Sequence, residues 1–119
     1  MLDVTHMYYV VDRVVEERLR QFDKFGEQNC SDGTSLSAGG SAFAAKVVCE
    51  RQAAAGTLTW RSILDEEVAE AFAETDPEKL EAELIQVAAV AVAWVEAIRR
   101  RPVRRDALPE AASAPAEGG

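Results

Sequence analysis

With 119 residues, 48% of them hydrophobic and only 7 Gly and 4 Pro, the chain carries apolar surface for one compact domain and too little length for two. Its 21 acidic and 13 basic side chains leave a formal net charge of -8. That sign repels a phosphate backbone and argues against nucleic acid as a partner, whereas a small phosphorylated ligand bridged by a divalent cation stays compatible.

The N-terminus, Met1-Leu2-Asp3-Val4-Thr5-His6, lacks the basic start and apolar stretch of a secretion signal, so a cytoplasmic protein is expected. The longest apolar run, Val87 to Val95, is too short to span a bilayer. Helical spacing then organises residues 7–24, where Tyr8, Val11, Val14 beside Val15, Arg18 and Phe22 mark one stripe, and Gly26 ends the segment. Residues 26–40 shift to Gly, Ser, Asn, Asp and Thr, the composition of a loop. Cys30 lies in it. Neither Cys30 nor Cys49 has a metal-ligand spacing to the other or to His6, so both are read as reduced thiols.

A second helix is predicted over residues 41–55, with Phe43, Val47 and Val48 as its apolar contribution and Gly56 closing it. Thr59 is a candidate N-cap for a third, which runs to about Glu74 and carries Trp60, Ile63, Leu64, Val68, Ala71 and Phe72 inward. Asp76-Pro77-Glu78 starts a fourth: aspartate caps, proline suits the first helical position and glutamate favours the positive end of the dipole. That helix continues to Arg101, where Arg99, Arg100 and Arg101 complement its negative end and Pro102 stops it. No strand pattern competes. The expectation is an all-α domain over residues 1–101, a four-helix bundle in which an antiparallel hairpin holds the acidic site. Residues 102–119 have almost no large apolar side chain and read as a disordered tail. Because Leu84 to Ile98 is apolar nearly all the way round, with Gln86 and Glu96 as the breaks, homo-oligomerisation through the fourth helix is expected.

The third helix reads Asp65-Glu66-Glu67-Val68-Ala69-Glu70, with Glu74 one turn on and no Lys or Arg among them. Like charges three or four apart cost about 0.2–0.5 kcal/mol each, and three such pairs bring roughly 1 kcal/mol of repulsion. With Thr59 as cap, Glu67 and Glu70 lie too deep in the helix for the N-terminal dipole to offset it. Glu67 follows Ile63 and Leu64 by one turn, on or beside the core face. Glu83 and Gln86 stand on the line that continues through Val90 to Trp94. The connection at Thr75 and Asp76 forces an antiparallel pair, in which Glu70 and Glu83 lie roughly 8 and 11 Å from the turn, and Glu67 and Gln86 roughly 13 and 16 Å. Four oxygen-bearing side chains thus converge, a hard donor set suited to Mg²⁺ or Mn²⁺. A solvated acidic face is the plain alternative for either motif alone.

Leu64-Asp-Glu-Glu67-Val-Ala-Glu70 followed by Glu83-Leu-Ile-Gln86-Val-Ala resembles the all-α nucleoside triphosphate pyrophosphohydrolases, the MazG-like proteins, whose pattern is Glu-x-x-Glu, a spacer, then Glu-x-x-Asp. The stretch Arg20-Gln-Phe-Asp-Lys24-Phe-Gly26-Glu-Gln28-Asn is similar to the segment such proteins carry before their second helix, and together these cover roughly residues 16 to 98. The resemblance implies a homodimer or homotetramer in which Mg²⁺ grips a nucleotide's phosphates, with cleavage of a nucleoside triphosphate to monophosphate and pyrophosphate. Carried across, Glu67, Glu70 and Glu83 are metal ligands, and Glu67 and Glu70 are the catalytic pair. Gln86, also placed on the metal, departs from the family's aspartate and supplies one neutral oxygen where a carboxylate supplies charge. Arg20, Lys24, Gln28, Lys46 and Arg61 are the candidates for binding substrate, with Phe25 and Trp60 as stacking candidates beside Gln28. Gln86 also sustains an alternative, a non-catalytic nucleotide-binding or oligomerisation module.

Overall fold

The computed structural model describes residues 4–102. The proposed tail lies, apart from Pro102, outside the described residues. Among those described, the chain is all-helical, with α1 (Thr5–Phe25), α2 (Gly39–Ala55), α3 (Trp60–Phe72) and α4 (Pro77–Arg100), and no strand. None of these helices is long and apolar enough to cross a membrane.

The helix boundaries follow from local chemistry. Gly26 adopts φ 66° beyond α1, and its amide reaches back to the Phe22 carbonyl at 2.7 Å. The loop that follows ends sooner than composition implies. Ser35 accepts a hydrogen bond from the Ser37 amide at 3.1 Å and starts a 3₁₀ turn over Leu36–Ala38, so that α2 begins at Gly39. The Ser35 amide also donates to the Phe72 carbonyl at 2.9 Å, tying the loop to the C-terminal end of α3. Gly56, at φ 77°, closes α2 in the left-handed conformation that costs glycine nothing. Thr59 caps α3 by accepting from the Ser62 amide at 3.1 Å, and Asp76 caps α4 by accepting from the Glu78 amide at 3.2 Å, with Pro77 at the first helical position.

Packing runs in the order α1–α4–α3–α2, each helix against the next. The α3–α4 pair is the antiparallel hairpin expected from its short turn. Ala71, 0% exposed, lies near the turn end of the hairpin, and the buried set among the described residues is completed by Val10, Ala45, Cys49 and Leu80. The second helix packs through small side chains, and the Cys49 thiol donates to the Ser62 carbonyl at 3.0 Å, joining α2 to α3.

Several apolar positions face elsewhere than periodicity alone places them. Phe43 and Val48 on α2 are exposed, because Ala45 and Cys49 form the line that meets α3. Phe72, 58% exposed, turns out at the last position of α3 while its neighbour Ala71 takes the core. On α1 the stripe through Val11, Val15 and Phe22 is open, since Val10, about 100° round the helix, is the residue buried.

Candidate metal centre

The hairpin brings Glu67 and Glu70 of α3 to Glu83 of α4, with one carboxylate oxygen from each within 4.8 Å of the others. The cause is the four-residue connection between Phe72 and Pro77, which fixes the register of both helices. All three are half-buried. None of the ion pairs among the described residues involves them.

The electrostatics show what that placement costs. Burial, then the nearby charges of Glu83 and Glu66, push the Glu67 carboxyl above its ordinary range. Glu70 is pushed up to about 7, by burial first and then by the charges of Glu67, Glu83 and Glu66. Glu67 Oε1 is enclosed and has no hydrogen-bond partner. A buried carboxylate oxygen without a donor is expensive, and so is a set of like charges without a counter-ion. A divalent cation relieves both, because it supplies the missing partner and the missing charge. Carboxylate oxygens are the hard donors Mg²⁺ and Mn²⁺ take. The residues present therefore fit such an ion.

Gln86, one turn beyond Glu83, is exposed. Glu66 enters the site although sequence reading used it only as a source of repulsion: it lies within hydrogen-bonding reach of Glu70, one turn away, and its charge also acts on Cys49. The i, i+4 spacing of Glu66 and Glu70 was the available signal.

The candidate substrate-binding residues are dispersed. Arg20 donates through Nε to Glu17 at 3.0 Å and lines a cleft between α1 and α4 with Tyr9, Arg13 and Arg99. Lys24 places its ammonium 5.2 Å from the centre of the Phe25 ring. Gln28 lines a polar hollow with Arg18, Gln21 and Glu27. Arg61 lines two hollows, one beside Trp94 and Leu64, the other beside Gln52 and Thr59. Lys46 is exposed on α2. The three glutamates line none of these clefts. Sequence reading also passed over the cluster at the other end of α4, where the Arg99 guanidinium stacks 4.0 Å from the centre of the Tyr9 ring and its Nε donates to His6 Nδ1 at 3.4 Å. Residues 93 apart carry no local pattern that could have revealed it.

No protein-family model matches the sequence, and no curated protein or solved structure matches it either.

Proposed function

We propose that the chain is a Mg²⁺-dependent nucleotide pyrophosphohydrolase of MazG-like four-helix architecture, which cleaves a nucleoside triphosphate to the monophosphate and pyrophosphate. The observation that carries this reading is the convergence of Glu67, Glu70 and Glu83 on one point with Glu67 Oε1 enclosed and unpartnered. The motif resemblance adds the substrate class, since Glu-x-x-Glu and a facing Glu-x-x-Asp on a helical hairpin are the parts such an enzyme uses, with Gln86 here in place of the aspartate.

In this reading Glu67, Glu70 and Glu83 hold the ion, which supplies charge neutralisation for the phosphates and acidifies bound water. Glu67 and Glu70 have a second role. They are also the catalytic pair in this reading; the upward shifts of their carboxyls belong to the metal-free cluster, and a bound cation would reverse them. Arg20, Lys24, Lys46 and Arg61 are the chain's candidates for the phosphate oxygens, and Gln28, Phe25 and Trp60 for the base.

The test is to incubate the purified protein with canonical and modified triphosphates and Mg²⁺ and to measure pyrophosphate. Release that disappears in Glu67→Gln and Glu70→Gln, with helicity intact, is the expected result. Absence of release from every triphosphate overturns the enzymatic reading. The second reading, a nucleotide-binding module without turnover, is favoured by one observation, the amide at Gln86. Calorimetry separates the two: binding without pyrophosphate supports the module, and turnover gained in Gln86→Asp identifies a decayed enzyme.

A further inference from the structure

The cleft between α1 and α4 has a volume of about 390 Å³, within the size range of small-molecule sites. None of the three glutamates of the metal centre lines it. Its floor is apolar. Val10, only 4% exposed, and Val14 supply it from α1, and Val95 adds to it from α4. Around that floor stand three guanidiniums, Arg13, Arg20 and Arg99, against one carboxylate, Glu17. The cleft thus gathers positive charge in a chain whose net charge is -8, and a cleft of one sign concentrates ligands of the other.

The three cations are not equivalent. Arg20 donates to the Glu17 carboxylate through both Nε and Nη2, so its end of the cleft is locally neutral. Arg13 donates to the Tyr9 hydroxyl at 2.9 Å and lies 5.8 Å from the centre of that ring, with Glu16 at 3.5 Å. Arg99 lies 4.0 Å from the same ring centre and donates through Nε to His6, and among the described residues it has no carboxylate in ion-pairing range. Tyr9 therefore draws two guanidiniums to one end of the cleft. They repel each other, and an anion between them removes the repulsion while gaining charge-assisted hydrogen bonds.

We infer that this cleft binds a small carboxylate with an unbranched apolar body, its head at Arg99 and Arg13 and its body along Val10, Val14 and Val95. The layout of the cleft selects that class. From Tyr9 to Arg20 it extends roughly 16 Å along α1 at about 1.5 Å per residue, which suits a long, slender molecule. The paired cations at one end match one anionic head, and the neutral Arg20–Glu17 end offers nothing to a second. A guanidinium fork matches a carboxylate in two parallel hydrogen bonds. A compact inorganic anion leaves the three valines uncovered, and a neutral hydrocarbon leaves the two guanidiniums facing each other. This inference is independent of the metal centre and of catalysis.

The experiment titrates octanoate into the full chain in metal-free buffer, read by calorimetry and by the backbone amide resonances. The expected result is one octanoate per chain with a dissociation constant below about 1 mM, and resonance changes concentrated at residues 9–14 and 95–99. Inorganic phosphate and octan-1-ol, which supply a head and a body alone, bind at least about tenfold more weakly. Arg99→Gln weakens octanoate by about tenfold or more, whereas Arg100→Gln, which removes the same charge one residue outside the cleft, leaves the affinity within about twofold. Both side chains are exposed, so neither variant disturbs the core. Absence of octanoate binding at about 10 mM overturns the inference. Phosphate or octanol binding as tightly as octanoate also overturns it, and so does an equal loss of affinity in the two arginine variants, because the attraction is then unspecific.

Discussion

One carboxylate oxygen of Glu67 on α3 lies within 4.8 Å of one from Glu83 on α4, and burial, then the Glu83 charge, pushes the Glu67 carboxyl above its ordinary range. Two helices that meet through like charges are each paying in electrostatic energy unless a cation stands between them. The pH dependence of the chain follows from that relation. Glu70 has its folded pKa raised from an ordinary 4.5 to about 7, so between those values the folded chain keeps a proton that the unfolded chain has lost. Stability without metal therefore falls as pH rises through that window, and the loss is complete above about 7. Melting temperature against pH from 4.5 to 8 should fall in chelator and fall less in Mg²⁺; a Glu70→Gln variant should lose most of the difference between the two.

Removing one of the like charges should stabilise the metal-free chain. Glu70 faces Glu66 and Glu67 along its own helix and Glu83 across the hairpin, so Glu70→Gln relieves about 1 kcal/mol of repulsion, which corresponds to roughly 4–8 °C in melting temperature for a chain of this size. The same substitution should abolish stabilisation by Mg²⁺. A variant less stable than the parent in chelator would show that the cluster is not strained.

Gln86→Asp should tighten Mg²⁺ binding, on the order of tenfold, because it adds a carboxylate one turn from Glu83. Isothermal calorimetry in a buffer of known ionisation enthalpy reads both the affinity and the protons released. Equal affinities would place position 86 outside the ion's reach.

The two cysteines should differ sharply in reactivity. Cys49 is buried, and burial together with the charges of Glu66, Asp65 and Glu67 pushes its thiol up to about 11, whereas Cys30 is exposed. At pH 8 an alkylating reagent should add one label per native chain and two after unfolding, as read by mass spectrometry. Two labels on the native chain would contradict the packing of α2 on α3.

Much of the hairpin was legible in the sequence. Thr59 and Asp76-Pro77 announce α3 and α4 because capping and the first helical position select particular residue types, and a short connection leaves two helices little choice but to pair antiparallel. Glu67, Glu70 and Glu83 follow from that register. The facing of α1 and α2 was not legible. Periodicity identifies a stripe, as it does through Tyr8, Val11 and Phe22, but not which neighbour covers it, and Val10 is buried only because α4 arrives on that side. Phe43 and Phe72 are open for the same reason: small residues beside them, Ala45 and Ala71, occupy the lines along which α2 and α3 approach their neighbours. The Arg99–Tyr9 stacking depends wholly on tertiary arrangement.

The central claim is that Glu67, Glu70 and Glu83 together hold a divalent cation, and Mn²⁺ titration followed by the paramagnetic resonance of the free ion tests it most directly. The account predicts at least one Mn²⁺ bound per chain at pH 8, affinity that weakens as pH falls through about 7, and loss of binding in Glu67→Gln, Glu70→Gln and Glu83→Gln. An unbroken free-ion signal up to millimolar Mn²⁺, or equal binding by the parent and all three variants, would contradict it.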